Sequence, residues 1–175
     1  LLLKGGSIEK NKGFQGGGVY VSGAGILTIE SGAISENNGT NNGGGVWLYS
    51  NSADKHPTLT MTGGQISKNT TAGGGGGVCV HSQSIMYMSG GGISENKTTG
   101  STPGGGIFLQ GQKFEMTGGS IYKNSSSRSG GGVQVNGSKS TFIMNGGAIS
   151  ENTAQGGGAG VNVQNGQFTM NDNAR

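Results

Sequence analysis

The chain is poor in the features that mark several common classes of protein. Its only cysteine is Cys79, so we expect neither a disulfide framework nor a cysteine-based metal site, and we interpret Cys79 as a small apolar residue of a strand. Charged residues make up 11% of the chain, and the net charge of +3 comes without a cluster of basic residues. Nucleic acid is therefore not an expected partner.

Long apolar runs and an N-terminal signal are also missing. No apolar stretch approaches the length that crosses a bilayer, so we expect no direct insertion into a membrane. The chain has no recognisable signal peptide and no initiator methionine, and it begins within a repeat. These features lead us to expect a fragment of a longer protein whose targeting signals lie elsewhere.

Glycine, in contrast, is abundant and regularly placed. It supplies 41 of the 175 residues, a content that often indicates disorder when no collagen period is present. Here the glycines recur at fixed offsets from alternating apolar residues, in a phrase that occurs six times. The copies are LLLKGGSIEKN (1–11), LTIESGAISEN (27–37), LTMTGGQISKN (59–69), MYMSGGGISEN (86–96), FEMTGGSIYKN (114–124) and FIMNGGAISEN (142–152). A repeat of this length indicates one supersecondary unit stacked on copies of itself.

The alternation within each repeat predicts the fold. Apolar residues alternate in three short segments: the pair that opens the phrase, the segment around its isoleucine, and a later pair such as Val78 and Val80. With no helix signal, the sequence predicts an all-β, parallel β-helix. We expect a single domain over residues 1–175, with about six turns of roughly 28 residues and three short strands in each turn. The glycines are expected at the corners.

Two columns of the repeat predict how the turns stack. The residues two positions after each isoleucine alternate in sign, so that opposite charges would lie side by side: Lys10, Glu36, Lys68, Glu95, Lys123 and Glu151. The asparagines that follow would form a hydrogen-bonded ladder in which Asn tolerates the left-handed region: Asn11, Asn37, Asn69, Asn96, Asn124 and Asn152. Asn69, Asn96 and Asn124 also begin glycosylation sequons, and their place in the ladder is the alternative explanation for these sequences.

The repeats resemble those of the chlamydial polymorphic outer-membrane proteins, which carry GGA[I/L/V] and FxxN motifs. Residues 146–149 (GGAI) match the first motif, and residues 149–152 (ISEN) parallel the second with Ile in place of Phe. More broadly, the chain is similar to β-helical repeat regions of bacterial surface and secreted proteins, many of them adhesin-like. The resemblance covers residues 1 to about 170. It implies a right-handed parallel β-helix and a secreted or cell-surface location, and it is weak for activity.

Catalysis has few candidate residues. Many parallel β-helices are polysaccharide lyases or hydrolases, which need facing carboxylates or a cluster of acidic oxygens. The only aspartates are Asp54 and Asp172, and three of the six glutamates belong to the charge column. We therefore expect no catalytic residue, no cofactor and no bound metal. A carbohydrate-active enzyme, or its inactive relative, with the site on other turns is the alternative.

The longest corner, residues 50–57, is the first place that departs from the repeat. It brings together Asp54, Lys55 and His56, and His81 begins the corresponding corner of the next turn. Two histidines and an aspartate could bind a metal, although a solvated loop explains the same residues.

The outward residues of the last strand form the main candidate binding face. They are Tyr20, Trp47, Cys79, Phe108, Gln134 and Asn162, of which the first four are largely apolar. An exposed aromatic stripe can stack sugars or dock a protein, although a loop or a neighbouring domain could also cover it. Tyr87, outward on the first strand, is a further candidate. The rest of its column (Leu2, Thr28, Thr60, Glu115, Ile143 and Thr169) lacks the regular Thr array that ice binding requires.

We therefore expect a non-catalytic, secreted or cell-surface β-helix that acts as a stalk or adhesin. Its partner would be a host or environmental glycan or surface protein, bound through the aromatic face and the Asp54–His56 corner. Self-assembly is the remaining alternative, because uncapped ends of a β-helix can stack end to end into a filament or surface layer.

Overall fold

A computed structural model describes residues 1–171 and 173–175, and every regular element in this part of the chain is a β-strand. The strands pair in parallel through six stacked turns, which confirms the predicted parallel β-solenoid. Asp172 lies outside the described residues. No helix in the described ranges is long and apolar enough to cross a membrane.

Each turn contributes to four ribbons of stacked strands. The first ribbon contains the beginnings of β1 (Leu2–Glu9) and β4 (Ile26–Ser35), then β7 (Thr58–Met61), β11 (Ile85–Met88), β15 (Lys113–Met116) and the ends of β18 (Val133–Met144) and β21 (Val161–Met170). The second contains the ends of β1 and β4, then β8 (Gln65–Ser67), β12 (Gly92–Ser94), β16 (Ser120–Tyr122) and β19 (Ala148–Ser150).

The third and fourth ribbons complete the turn. The third contains β2 (Lys12–Gln15), β5 (Asn38–Asn42), β9 (Thr70–Thr71), β13 (Lys97–Thr98), β17 (Ser125–Ser126) and β20 (Thr153–Ala154). The fourth contains β3 (Val19–Ser22), β6 (Val46–Tyr49), β10 (Val78–Val80), β14 (Ile107–Leu109) and the beginnings of β18 and β21. The third ribbon adds a strand to the three expected in each turn. Its strands are short and polar, so apolar alternation gives no signal for them.

The core is a column of apolar side chains inside the solenoid. In the inner turns, the inward residues of the first, second and fourth ribbons are almost fully buried, for example Leu59, Ile66 and Val78. Each such side chain contributes roughly 1.5–3 kcal/mol through burial. Phe114 and Phe142 stack in adjacent turns with their ring centroids 4.5 Å apart. Because one turn holds only a few of these residues, the turns stabilise one another.

The asparagine ladder is confirmed. The Oδ1 atom of Asn96 accepts hydrogen bonds from the backbone N–H and the Nδ2 of Asn69, both at 3.0 Å. Its own Nδ2 donates to Asn124 Oδ1 at 3.0 Å and to the Ile66 carbonyl at 2.9 Å. The same pattern joins Asn11 to Asn37 and continues to Asn152. The asparagines of all three sequons are fully buried, so the ladder explains these sequences without glycosylation.

The charge column has a different role from the one predicted. The residues at positive φ are not the asparagines but the charged residues before them, with φ between 54° and 58° at Lys10, Glu36, Lys68, Glu95, Lys123 and Glu151. A non-glycine residue in this left-handed region costs roughly 1–2 kcal/mol, so the column marks a strained corner between the second and third ribbons.

The predicted ion pairs along this column are mostly absent. Within the part of the chain that the structure describes, the only one is Lys123–Glu151, with Nζ and Oε2 3.7 Å apart and both side chains more than half exposed. Long exposed side chains gain little by giving up their rotamer freedom, so such a pair contributes at most about 1 kcal/mol. The alternation still keeps like charges out of adjacent turns.

Glycine occupies two corners of each turn, as expected. Gly75 has a φ of 73°, and its neighbour Gly76 shows a second reason for glycine. A Cβ added at Gly76 would lie 2.3 Å from the Gly105 carbonyl oxygen of the next turn. The entry into the fourth ribbon therefore requires glycine both for its bend and for close stacking of the backbone.

Candidate functional site

The predicted aromatic stripe has the expected register but not the expected exposure. Tyr20, Trp47, Cys79 and Phe108 pair in successive turns of the fourth ribbon, as the alternation predicts. However, Trp47 is only 4% exposed, Phe108 is 5% exposed and Cys79 is fully buried. The prediction of an open aromatic face is therefore wrong for these three residues, and only Tyr20 remains exposed.

The stripe is buried because glycine-rich chain folds over it and because its own side chains pack together. A Cβ added at Gly74 would lie 2.1 Å from the ring of Phe108, so this ring packs directly on the backbone that leads into the fourth ribbon. The Trp47 ring stacks with the rings of Tyr20 and Tyr49, at centroid distances of 5.0 and 5.3 Å. The outer side of the fourth ribbon is thus a second, smaller hydrophobic cluster.

Buried polar groups of this cluster are not arranged as a reactive site. Burial raises the pKa of the Cys79 thiol well above its usual range, which keeps it protonated and unreactive. The buried Nε1 of the Trp47 indole has no hydrogen-bond partner among the described residues. Packing is therefore the role that the contacts of Cys79 and Trp47 support.

The outer face of the first ribbon is open. Tyr87 on β11 is 38% exposed, and in the neighbouring turns it pairs with Thr60 on β7 and Glu115 on β15. Lys113 Nζ lies 5.4 Å from the centroid of the Tyr87 ring and 2.7 Å from Glu115 Oε2. The hydrogen bond to Glu115 raises the pKa of Lys113. Tyr87, Lys113 and Glu115, which we call the Tyr87 cluster, combine an exposed ring with fixed polar groups.

A groove lies at the corner between the fourth and first ribbons, beside this cluster. Its volume is about 360 Å³, and its lining includes Gln83, Gln110, Gln112, Ser138, Lys139 and Ser140. The groove exists because the corners differ in length. Only residues 110–112 join β14 to β15, whereas residues 81–84 form the corner before and residues 136–140 the corner after. The short corner is the floor, and the longer ones are the walls.

In the longest corner, residues 50–57, the candidate metal ligands Asp54 and His56 do not come together with His81 as a group. Asp54 and His56 are exposed, and His56 Nδ1 lies 3.0 Å from the backbone carbonyl of Gln83. Among the described residues, no three His, Cys, Asp or Glu side chains come together as metal ligands, so the structure favours the solvated loop over the two-histidine site. His56 instead bridges this loop to the corner that carries Gln83.

Sequence reasoning named Tyr87 as a candidate, but it did not point to Lys113 or to the residues that line the groove. The sequence signal for the groove is the length of the corner between the fourth ribbon of one turn and the first ribbon of the next. Of the three corners that form the groove, the one at the end of the fourth turn is the shortest. Glutamine and serine at corners are ordinary solvated residues, so their types alone carry no signal.

A comparison with known protein families, curated proteins and solved structures found no match for this chain. The fold and the geometry of its surface are therefore the basis for a functional proposal.

Proposed function

We propose that this protein is a non-catalytic β-solenoid, secreted or held at a cell surface, that binds glycan chains through the Tyr87 cluster. The observation that carries the proposal is the exposed ring of Tyr87 on a regular sheet face, with Lys113 and Glu115 held beside it. The apolar face of a sugar stacks on such a ring, while its hydroxyl groups bind the flanking charges. The stacked turns hold this face rigid, as a stalk or adhesin requires.

The carboxylates near this face favour binding over catalysis. Glycoside hydrolysis uses two carboxyl groups that face each other across the substrate. Glu115 is engaged by Lys113 at 2.7 Å, and the neighbouring outward positions of its column hold Tyr87 and Ile143. Asp54 lies in an exposed loop. The secreted or surface location rests on the resemblance of the repeats to bacterial surface proteins.

The proposal is tested by affinity electrophoresis and calorimetry with a panel of soluble neutral and anionic polysaccharides. We expect one or more of them to bind, and we expect Tyr87→Ala to weaken binding about tenfold because the stacking surface is lost. Tyr122→Ala is the matched control, since Tyr122 is a partly exposed tyrosine of the second ribbon, outside the Tyr87 cluster.

Two results would contradict the proposal. The first is an absence of binding across the panel, or binding that Tyr87→Ala leaves unchanged. The second is release of reducing sugar ends from a bound polysaccharide, which would support the enzyme alternative. Size-exclusion chromatography of each sample, run at several concentrations, separates ligand binding from self-association.

A further inference from the structure

We infer that the corner groove is a saccharide subsite that binds a neutral sugar unit of the same chain that stacks on Tyr87. This inference rests on the proposed function and adds the second contact and the class of ligand. The groove is next to the Tyr87 cluster along the chain, because Gln112 of its lining directly precedes Lys113, whose Nζ is 5.4 Å from the Tyr87 ring.

The chemistry of the lining fits the hydroxyl groups of a sugar. Gln83, Gln110 and Gln112 provide amides that donate and accept hydrogen bonds, and Ser138 and Ser140 provide hydroxyl groups. Sugars need both functions within a short distance, because each hydroxyl is a donor and an acceptor. A volume of about 360 Å³ is at the small end of ligand pockets, so the groove suits a short part of a longer chain.

Hydrogen bonds hold the floor and walls of the groove in place. Gln112 Nε2 donates to Gln83 Oε1 at 2.6 Å, which orients both amides. Ser140 is almost fully buried, and its hydroxyl donates to the Gly111 carbonyl at 2.5 Å, which ties the wall of the groove to its floor. On the opposite wall, His56 of the long corner contacts the Gln83 carbonyl at 3.0 Å. Groups fixed in this way lose little freedom when they bind a ligand.

The charges around the groove favour a neutral sugar over an acidic one. Among the described residues that line the groove, Lys139 is the only charged one, and it is exposed. Lys113, at the edge toward Tyr87, is engaged by Glu115 at 2.7 Å. Within the part of the chain that the structure describes, the groove therefore has no pair of free cations to hold a carboxylate or sulfate.

The test blocks the groove without touching the Tyr87 cluster. Ser138 is exposed on the wall, so Ser138→Trp fills the space while the core stays unchanged. Gln112→Ala removes a floor amide. Ser101→Trp is the matched control, because Ser101 is an exposed serine of another corner. Binding is measured by calorimetry with hydroxyethyl cellulose, xylan and galactomannan as neutral probes and with polygalacturonate as the anionic probe.

We expect a neutral probe to bind the wild-type protein, Ser138→Trp to weaken that binding at least about tenfold, and Gln112→Ala to weaken it less, with Ser101→Trp unchanged. Neutral binding that survives Ser138→Trp but is lost in Tyr87→Ala would overturn the groove and leave the proposed function standing. Binding of polygalacturonate alone, lost in Lys139→Ala, would overturn the neutral class. Failure of every probe would overturn both proposals. Circular dichroism and thermal unfolding confirm that each variant is folded.

Discussion

Removal of one asparagine from the middle of the ladder should destabilise the whole solenoid far more than removal of one at its end. Asn96 is fully buried in the fourth turn and makes side-chain hydrogen bonds to the turns on both sides. In Asn96→Ala the backbone path stays the same, but the amide that joins three turns is gone. Asn11, at the exposed start of the ladder, provides the matched substitution Asn11→Ala.

The magnitude follows from the groups left without partners. Asn96→Ala deprives the Asn69 backbone N–H of its acceptor, one proton of Asn69 Nδ2 of its acceptor, and the Ile66 carbonyl of its side-chain donor. Each buried polar group without a partner costs about 1–3 kcal/mol. We therefore expect a loss of roughly 3–6 kcal/mol in the free energy of unfolding, since relaxation and water entry recover part of the sum. Asn11→Ala removes only bonds at an exposed position, and we expect a loss below about 1 kcal/mol.

Urea unfolding followed by far-ultraviolet circular dichroism and by tryptophan fluorescence measures both changes. Trp47 lies two turns before Asn96, so the two signals also report whether the halves of the solenoid still unfold together. We expect Asn96→Ala to shift the midpoint strongly and to separate the two transitions, because each turn contacts only its neighbours. Equal effects of Asn96→Ala and Asn11→Ala would refute the reasoning that the ladder stabilises the stack through buried, fully paired amides.

Three further predictions concern other columns. Trp47→Ala should lower the free energy of unfolding by about 3–5 kcal/mol while the folded protein keeps its ligand affinity, because Trp47 is 4% exposed. Loss of binding at unchanged stability would instead support the aromatic binding face that the sequence predicted. Glu95→Gly should raise the free energy of unfolding by about 0.5 kcal/mol in urea unfolding, because the backbone strain that it removes at a φ of 54° exceeds the entropy that glycine adds to the unfolded chain. The control Thr60→Gly, on a strand, should lower the free energy of unfolding. Burial lowers the pKa of His81, so the unfolded chain binds its proton more readily and stability should fall as the pH drops from about 7.5 to 5. In His81→Gln the free energy of unfolding should fall less over the same pH range. An unchanged dependence on pH would contradict the attribution of this effect to His81.

The parts of the fold that depend on neighbouring turns were predictable from the sequence. A residue that must match its neighbour above and below recurs at a fixed offset, as Ile66 and Asn96 do, and recurrence is what a single sequence displays. The pairing of Tyr20 with Trp47 and of Trp47 with Cys79 followed from the same counting. Register could therefore be derived without any knowledge of side-chain conformation.

Burial of the outward columns could not be predicted in this way. Alternation separates the two faces of a strand, but it does not show whether a loop covers the outer face. Phe108 is covered because residues before the fourth ribbon fold back and Gly74 lets its ring approach the backbone. Tyr87 stays open. The backbone strain of the charge column could not be predicted for a related reason. Asparagine and charged residues both occur at corners, and only the backbone angles of Glu95 and its equivalents show which residue adopts the left-handed conformation.

The corner between the fourth and first ribbons is the place where this repeat tolerates change at least cost. A change in the ladder or in the glycine corners breaks contacts with two neighbouring turns. A longer connection between the ribbons mainly costs loop-closure entropy, about 0.9 kcal/mol when a corner grows from three residues, as in 110–112, to eight, as in 50–57. Varied side chains can therefore accumulate at this corner without disturbing the stack. The groove beside Tyr87 lies there, and its position follows from the same constraint that makes the rest of the chain repeat.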